Sequence, residues 1–432
     1  MLQKSLKWMV LTLLLAGLLI WAAVWAVSAL RAAPAGGDAA ASAAPTATPP
    51  ALAEGTANPG ATEEPTAPPA PTPQPTPAPP GEQERLAAWV AALPLEEKLG
   101  QLVMFGGSGT TRPSDEFLDV LETYCVGNAV LYGANVARGD ADGGFSRAAR
   151  LTAALREACS SEIPMLVSID VEGGTVVRFH WKPWPSSART LGTRGDTEAA
   201  REQFLTIGRA LLETGINMNL APVLDVAPDP SATFLGTRII SSDAQVAADI
   251  GAAIIQGLHD AGCLSTAKHF PGHGGTAADS HATTPVVDKS AGELRAYDLQ
   301  PFAAAVEAGV DVVLVAHISY PALDAENIAT LSSAVITDLL RGELGFTGIV
   351  MSDDFRMGGL IGQCPAGEAA VRFLLAGGDL ILCGPRHDLQ REIMEGLRAA
   401  VADGTLSEAR IDESVLRIVQ KKMEVTGWSP LE

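Results

Sequence analysis

The sequence predicts an α/β protein whose folded part is a (β/α)8 TIM-type barrel, preceded by a transmembrane helix and a disordered, proline-rich linker. Three observations support this prediction. Eight apolar, strand-like runs alternate with amphipathic stretches between residues 84 and 432. Charged and polar residues gather where several of these runs end. Before residue 84, one long apolar run is followed by a stretch dominated by Pro, Ala and Thr.

Residues 1–31 are predicted to form a cytoplasmic tip and a transmembrane signal anchor. Trp8–Leu30 is an uncharged, apolar run of about the twenty residues that span a bilayer. Lys4 and Lys7 precede it and Arg31 follows, and this charge excess places the N-terminal end in the cytoplasm. We therefore expect a single-pass protein of the cell membrane with its folded domain extracellular. Small residues near the end of the run also fit a cleaved signal peptide, which would make the protein secreted.

The segment 32–83 is predicted to be a disordered linker. It repeats Pro-Thr-Pro and Pro-Ala-Pro-Pro and lacks the apolar residues of a core. Dense proline favours extended polyproline II, which rises about 3 Å per residue. Such a spacer would hold the folded domain, residues 84–432, roughly 100–150 Å from the bilayer.

Eight runs of the folded domain are rich in apolar residues and short enough to be strands. They are Gln101–Phe105, Asn128–Tyr132, Met165–Asp170, Asn217–Pro222, Ser265–His269, Asp311–His317, Gly348–Ser352 and Asp379–Leu382. Helix-like stretches lie between them at Ser146–Ala158, Thr197–Thr214, Ala244–Ala261 and Leu294–Ala308. Eight such repeats in about 350 residues indicate a barrel. A doubly wound open sheet is the alternative, but the first strand carries no GxGxxG.

Polar residues lie at or just after the predicted strand ends, where barrel enzymes place their chemistry. They are Asp170, Asp225, Lys268, His269, His317, Asp353 and Asp354. Helix capping would explain Asp225 or Asp354. It does not explain a Lys-His pair at the end of an apolar run.

The segment 268–281, Lys-His-Phe-Pro-Gly-His-Gly-Gly-Thr-Ala-Ala-Asp-Ser-His, contains three of the seven histidines of the chain. Its proline and glycines exclude a helix or a strand and predict a loop crowded with proton-transfer groups. His269 and His273 are spaced i, i+4, but Pro271-Gly272 interrupts the helix that would bring them together on a metal. The sequence therefore favours proton transfer over metal binding.

Two acidic motifs complete the predicted chemistry. Asp353 follows an apolar strand, and a carboxylate at a barrel mouth can attack an electrophilic carbon, as in glycoside hydrolysis with retention. Asp279 and His281 are separated by one residue, so the carboxylate can orient the imidazole as an acid/base group. Asp170 and Arg178, at another strand end, suit recognition of sugar hydroxyls. A structural ion pair is the competing interpretation of Asp170 and Arg178.

Charge and cysteine content exclude several classes. A net charge of −20 lacks the basic footprint of a nucleic-acid binder. The five cysteines are odd in number and widely spaced, with no CxxC pair, so neither a zinc knuckle nor a disulfide framework is predicted. Several lie in apolar runs and are expected to be buried thiols.

The chain resembles the bacterial β-N-acetylglucosaminidases of glycoside hydrolase family 3. The matching pieces occur in the order of the family and are Asp-Val-Glu-Gly-Gly-Thr-Val-Val-Arg (170–178), Gly-Thr-Arg (236–238), Lys-His-Phe-Pro-Gly-His-Gly…Asp-Ser-His (268–281), Ala-His-Ile-Ser-Tyr-Pro (316–321) and Ser-Asp-Asp (352–354). The Asp-Ser-His portion is typical of the N-acetylglucosaminidase branch. The absence of a second domain after the barrel is similar to the single-domain subgroup.

The resemblance implies a role for each matched residue. Asp353 would be the nucleophile, and His281 the acid/base group with Asp279 as its partner. The contacts to the N-acetylglucosamine ring would be Asp170, Arg178, Arg238, Lys268 and His269. It also implies neither metal nor cofactor, and carbohydrate substrates that include muropeptides. Single-domain relatives from Gram-negative bacteria are usually cytoplasmic, whereas the predicted anchor suggests turnover of the cell wall from outside. We expect a monomer.

Two positions depart from the family pattern. Ile239-Ile240 stands where relatives often carry Ser-Phe, and Arg356 stands where a small polar residue is frequent.

The sequence leaves three alternatives open: a phosphorylase that uses phosphate as the acceptor, a non-catalytic wall-binding protein, and substrate-assisted catalysis by the N-acetyl group.

Overall fold

The structure, a computed structural model, describes residues 81–136, 142–159, 161–276, 278–280 and 283–431. The predicted signal anchor (1–31) and residues 32–80 of the predicted linker lie outside the described residues. Within the described ranges, none of the helices combines the length and the apolar character that crossing a bilayer requires.

The first described helix is Glu82–Ala91, which includes the last two residues of the predicted linker. Glu82 and Glu84 lie in its first turn, where carboxylates interact favourably with the helix dipole. The Glu84 carboxylate also accepts a hydrogen bond from the Gly81 N–H at 3.2 Å. Acidic residues that suit a linker composition therefore stabilise the start of a helix here.

Strands are found at all eight predicted places. The described strands are β1 (Val103–Gly106), β2 (Asn128–Leu131), β3 (Leu166–Ile169), β4 (Val171–Gly173), β5 (Val176–Val177), β6 (Met218–Asn219), β7 (Thr266–Phe270), β8 (Val312–Val315), β9 (Ile349–Ser352) and β10 (Ile381–Cys383). The antiparallel hairpin β4–β5 was not predicted. It follows β3 in the chain, directly after Asp170.

The remaining strands pair in parallel and form two sheets. One has the order β10-β1-β2-β3-β6 and the other the order β7-β8-β9. Single parallel bridges connect them: Met218 pairs with Leu264 and Val223 with Lys268 on one side, and Met351 pairs with Leu380 on the other. The described residues therefore form an α/β fold with two parallel sheets joined by bridges. A continuous closed ladder of eight strands is not formed among them.

Helices surround the strands. The α-helices are Glu82–Ala91, Leu95–Gln101, Asp115–Thr123, Phe145–Ala158, Ala188–Arg194, Thr197–Glu213, Ala244–Ala261, Ala291–Glu293, Gln300–Glu307, Gly358–Ile361, Ala366–Leu375, His387–Ala402 and Glu408–Thr426, with π-helical segments at Leu294–Asp298 and Ala334–Glu343. The predicted helix 294–308 is thus split into a π segment and an α-helix. Pro301 near the start of Gln300–Glu307 lacks the N–H that a continuous helix would use.

The helix Ala244–Ala261 illustrates how local chemistry sets an element. The Asp243 carboxylate caps its start by accepting from the N–H groups of Gln245 and Val246 at 2.9 and 3.3 Å, and Gly262 ends it at φ 82°. Between these ends, residues such as Ile250, Ile254 and Leu258 repeat at helical spacing and are buried. This apolar stripe packs the helix onto the core.

One large hydrophobic core fills the space between the strands and the helices, and each of the ten described strands contributes residues to it. Cys263 and Cys383 are buried in it as free thiols, as predicted, whereas Cys125, Cys159 and Cys364 are free and only partly buried. A group of polar side chains at the carboxyl ends of the strands forms the site described next.

Candidate active site

A cavity of about 340 Å³ opens at the carboxyl ends of the parallel strands, within the range of about 300–1,000 Å³ for small-molecule sites. Its walls come from residues after β2, β3, β7 and β9 together with the β4–β5 hairpin. Of the site residues predicted from the sequence, six line it: Asp170, Arg178, Arg238, Lys268, His269 and Asp353. The predicted convergence of these six side chains is therefore found.

An alternating chain of charges forms one wall of the cavity. The Lys268 ammonium donates to Asp170 Oδ1 at 2.7 Å and lies 2.7 Å from Glu172 Oε1. Arg178 Nη2 donates to the other oxygen of Asp170 at 2.8 Å. Arg238 binds Glu172 through two hydrogen bonds of 2.8 and 2.9 Å. We refer to these five residues as the charged wall.

Mutual pairing keeps the charged wall ionised although it is buried. Burial alone would raise the pKa of Asp170, but the positive charges of Lys268 and Arg178 lower it well below its usual value. Burial likewise opposes ionisation of Glu172, yet Lys268 and Arg238 lower its pKa. The pKa of Lys268 is raised, because its two carboxylate partners outweigh burial. The wall thus presents fixed donors and acceptors suited to sugar hydroxyls.

His269 lies beside the charged wall and is oriented by a buried carboxylate. Its Nδ1 is 2.7 Å from Asp225 Oδ2, and Asp225 Oδ1 accepts from the His273 N–H at 2.6 Å. Burial would raise the pKa of Asp225, but His269 and His273 lower it. Asp225 therefore fixes the start of the histidine-rich loop through two of its residues.

Asp353 lies across the cavity, directly after β9. Its backbone N–H donates to Val315 O of β8 at 3.0 Å, and its Oδ1 accepts from the Asp354 N–H at 2.8 Å. No ion pair joins its carboxylate to any residue of the described ranges. One oxygen is thus held in place by a hydrogen bond, and the described residues leave the carboxylate without a cationic partner, an arrangement that suits a nucleophile.

The neighbouring Asp354 has a different environment. Its carboxylate accepts from the Tyr132 hydroxyl at 2.8 Å, from Gly384 N–H at 3.1 Å and from the Arg356 guanidinium at 2.6–3.1 Å. Burial would raise its pKa, but Arg356 lowers it. All of its acceptor capacity is used inside the protein, so Asp354 supports the loop after β9 and is not available for attack.

His317, two residues after β8, is fully buried below the two aspartates. Its Nδ1 is 2.8 Å from the Thr330 hydroxyl and its Nε2 is 3.3 Å from Asp354 O. Burial lowers the pKa of His317, although Asp353 acts in the opposite direction. The ring therefore acts as a hydrogen-bonded support for the backbone of the β9 loop.

The histidine-rich loop reaches the cavity through Ser280. The Ser280 hydroxyl is 2.9 Å from His273 Nε2, and its backbone oxygen accepts from the Gly359 N–H at 3.0 Å. Asp279 is exposed and is not one of the described residues that line the cavity. His281 lies outside the described residues. The predicted Asp279–His281 pair therefore stays a prediction, carried by a loop whose neighbouring residue touches both His273 and the segment after Asp353.

Several site residues were missed by sequence reasoning. They are Tyr132, Glu172, Ser280 and Arg356. Glu172 had a detectable signal, because Asp170 and Glu172 are separated by one residue in an extended segment and so point to the same side. Tyr132 had no comparable signal, since only the fold brings it to the loop after β9. Among the described residues, no group of His, Cys, Asp and Glu side chains is arranged to hold a metal ion.

Comparison with known proteins gives a consistent result. The profile of the Glycosyl hydrolase family 3 N terminal domain matches residues 94–421. Beta-hexosaminidase A of Pseudoalteromonas piscicida is 32% identical over 343 residues, which are 73% of this chain and 56% of that protein. Beta-hexosaminidase of Stenotrophomonas maltophilia (strain K279a) is 34% identical over 345 residues, or 74% of this chain and 98% of that protein.

A solved structure is also similar. The glycoside hydrolase family 3 β-N-acetylglucosaminidase from Paenibacillus sp. str. FPU-7 has a TM-score of 0.73 and 39% sequence identity, over 78% of this chain and 64% of that one. This chain therefore spans little more than half of one relative, about two thirds of another and nearly all of a third.

Proposed function

The chain belongs to glycoside hydrolase family 3, and on this basis we propose that it is a retaining exo-β-N-acetylglucosaminidase that releases terminal, non-reducing N-acetylglucosamine from β-glycosides. The observation that carries the proposal is the pairing pattern of the cavity. Asp353 has no ion-pair partner among the described residues, whereas the members of the charged wall, which lines the same cavity, pair with one another. The names of the related hexosaminidases and of the Paenibacillus enzyme support the choice of sugar.

In the first step proposed, Asp353 attacks the anomeric carbon. A bond forms between a carboxylate oxygen and C1, and the bond from C1 to the leaving oxygen breaks. His281 donates its proton to that oxygen as the aglycone departs, and Asp279 stabilises the imidazolium before the transfer. The hydrogen bond from the Asp354 N–H to Asp353 Oδ1 directs the second oxygen toward the sugar.

In the second step, water takes the place of the aglycone. Neutral His281 accepts a proton from water as the oxygen attacks C1, and the ester bond to Asp353 breaks. The carboxylate is released, the imidazolium is restored and the sugar leaves with its original anomeric configuration. Histidine suits both directions of transfer because its ordinary pKa lies close to neutral pH.

The charged wall is proposed to bind the ring of the sugar. Arg178, Arg238 and Lys268 would donate to hydroxyl oxygens, and Asp170 would accept from hydroxyl hydrogens. His269, held by Asp225 at 2.7 Å, would supply a further contact. Since these groups are already ordered by one another, little side-chain freedom is lost when a sugar binds.

The cellular setting is part of the proposal. We propose that residues 8–30 anchor the protein in the cell membrane, that the folded domain is extracellular and acts as a monomer, and that its substrates are peptidoglycan fragments. The apolar run and the proline-rich segment that follows it support this arrangement. We also propose that the two bridged sheets act as the predicted (β/α)8 barrel, since bridges lie on both sides where the sheets meet.

Trapping of the intermediate tests the proposed mechanism. A 5-fluoro N-acetylglucosaminyl fluoride should inactivate the full chain over time and leave a sugar label on the peptide that contains Asp353, detected by mass spectrometry. The Asp353→Ala variant should bind no label and lose activity on the order of 10⁴-fold or more, while the exposed-residue control Asp338→Ala keeps both. Turnover without a label on Asp353 would contradict the proposal and favour attack by the N-acetyl group.

Product analysis separates hydrolysis from the other open alternatives. Aryl N-acetyl-β-glucosaminide should yield free N-acetylglucosamine whether or not phosphate is present. A sugar 1-phosphate as the main product would instead identify a phosphorylase. Binding of wall fragments with no release of the aryl group would identify a non-catalytic protein.

A further inference from the structure

The Arg356 guanidinium is held in the cavity wall by residues of several elements, and we refer to these surroundings as its seat. Its guanidinium lies over the Tyr132 ring, 4.9 Å from the ring centroid. On the other side it lies against Gly384, where a Cβ atom would overlap the guanidinium. The Arg356 side chain is 33% exposed and lines the cavity. Residues after β2, β9 and β10 thus hold one cation at the mouth.

The hydrogen bonds of Arg356 use only part of its guanidinium. Nε donates to both oxygens of Asp354 at 3.1 and 3.0 Å, and Nη2 donates to Oδ2 at 2.6 Å. Nη1 donates to none of the residues that the structure describes. Arginine carries five N–H donors in a fixed fork, so the two on Nη1 are oriented by the seat and remain available to a ligand.

The charges around Arg356 favour a neutral acceptor over an anion. Asp354 already balances the guanidinium at 2.6 Å, and the unpaired carboxylate of Asp353 is on the same short loop. A second carboxylate or a phosphate at Nη1 would meet repulsion from both aspartates. A carbonyl oxygen accepts the same N–H donors without adding charge.

The position of Arg356 indicates which carbonyl. Asp353 must lie about 3–3.5 Å from the anomeric carbon when it attacks, and Asp354 joins Asp353 to Arg356 through its backbone N–H and its carboxylate. The substituent on C2 is the ring substituent nearest to that carbon. We propose that Arg356 is a specificity-determining residue that binds the carbonyl oxygen of a 2-acetamido group through Nη1. This inference rests on the proposed function and assigns its sugar selectivity to one side chain.

The test compares two substrates that differ only at C2. The specificity constant kcat/KM is measured with the full chain for p-nitrophenyl N-acetyl-β-glucosaminide and for p-nitrophenyl β-glucoside. In Arg356→Met the ratio of the two constants should fall roughly 10- to 100-fold, since a hydrogen bond from a charged donor is lost. Arg356→Lys keeps a cation near Asp354 but lacks Nη1, so the same fall is expected. Arg391→Met, which removes an exposed arginine paired with Asp119, is the matched control and should leave the ratio unchanged.

Three results would overturn the inference. An equal loss on both substrates would mean that Arg356 only supports Asp354. A loss confined to an N-acetylglucosaminide whose aryl group bears a carboxylate would mean that Arg356 recognises an anion. Calorimetry compares the affinity for N-acetylglucosamine with the affinity for glucose. The same ratio of these two affinities in wild type and in Arg356→Met would exclude the contact. The calorimetric comparison also decides the matter if wild type cleaves neither substrate, a result that would refute the proposed function separately.

Discussion

Asp353 and Asp354 are adjacent in sequence but have different surroundings. Asp354 is enclosed by Tyr132, Arg356 and the Gly384 N–H, whereas Asp353 receives one N–H and no cation from the described residues. A carboxylate whose lone pairs are occupied is a poor nucleophile, and one with a free oxygen is a good one. The difference is created by side chains from other strands, so it appears only in the folded protein.

At the residue scale, the role of His281 predicts a dependence on the leaving group. In His281→Ala, kcat/KM should fall much more for N-acetylglucosaminides of alkyl alcohols or sugars than for the p-nitrophenyl compound. Only a poorly acidic leaving group needs a proton in the transition state. A series of aryl and alkyl glycosides measures this, with His387→Ala, which changes a histidine outside the cavity, as the control. Equal losses along the series would contradict the acid role.

Some residues of the charged wall could be predicted from the sequence. Lys268 and Asp170 could be placed at one mouth because charged residues that end apolar strands of a parallel sheet must meet at one edge. The chemistry of Arg356 could not be assigned in this way, because its seat depends on Tyr132 and on the missing side chain of Gly384. Contacts between distant elements leave no local pattern, so sequence reasoning found the polar set and missed the partners of its members.

At the scale of elements, Asp298 is a buried carboxylate that lies beside the histidine-rich loop. Asp298 ends the π segment Leu294–Asp298 and accepts from the Lys289 ammonium at 2.8 and 2.6 Å. Its Cβ lies 3.0 Å from the place of a Cβ on Gly272, which has φ 130°. Burial raises the pKa of Asp298 to about 6 even beside Lys289. One buried residue therefore lies against Gly272 of the histidine-rich loop and pairs with Lys289, which follows the loop in the chain.

This arrangement predicts a large effect of removing one partner. Lys289→Met should lower the free energy of unfolding by roughly 2–4 kcal/mol, because it leaves the buried Asp298 without its cation. The double variant Lys289→Met/Asp298→Leu should recover most of that loss, since a buried ion pair and an apolar pair of similar size are often equally stable. Urea denaturation measures both, with the exposed Lys182→Met as the control. A single variant as stable as wild type would contradict the assignment.

Helices and strands with a regular periodicity were predicted well. Elements whose conformation depends on tertiary contacts were predicted poorly. The helix Ala244–Ala261 has both of its predicted bounds, because its cap, stripe and terminal glycine agree. The hairpin β4–β5 escaped prediction, since Val171–Val177 is short and contains two glycines. Gly173 and Gly174 both have positive φ, which lets the chain reverse tightly between β4 and β5. A single long strand has no such reversal.

At the scale of the whole molecule, the two ends of the parallel strands differ in chemistry. The carboxyl ends gather paired charges around an open cavity, whereas just before β1 and β2 the residues Gln101 and Gly127 accept hydrogen bonds from Lys422 of the last helix, Glu408–Thr426. The family and the α/β class predicted from motifs and repeats are confirmed, because both depend on the order of many local patterns. Closure into one barrel depends on single bridges between Met218 and Leu264 and between Met351 and Leu380, which no local pattern specifies.

The last helix contains a buried lysine that makes the stability of the protein depend on pH. Lys422 is fully buried and its ammonium donates to Gln101 Oε1 and to Gly127 O, with no carboxylate partner among the described residues. Burial lowers the pKa of Lys422 to about 7, whereas an unfolded lysine titrates near 10.4. Lys421, on the same helix, differs: burial is outweighed by Asp311 and Glu424, and its pKa is raised.

Between pH 7 and pH 9 the unfolded chain therefore binds more protons at residue 422 than the folded protein does, so this residue makes the protein more stable as pH rises, by roughly 1 kcal/mol per pH unit. Replacing it in Lys422→Met should remove that slope, and the difference in free energy of unfolding, variant minus wild type, should fall by about 1 kcal/mol for each unit of pH. Urea denaturation at pH 7, 8 and 9 measures this difference. In Lys421→Met the difference should stay constant over the same range, because a lysine with a raised pKa is protonated in both states until the pH approaches its unfolded value. A constant difference for Lys422→Met as well would mean that the buried ammonium keeps its proton, and that Gln101 and Gly127 stabilise its charge as well as water does.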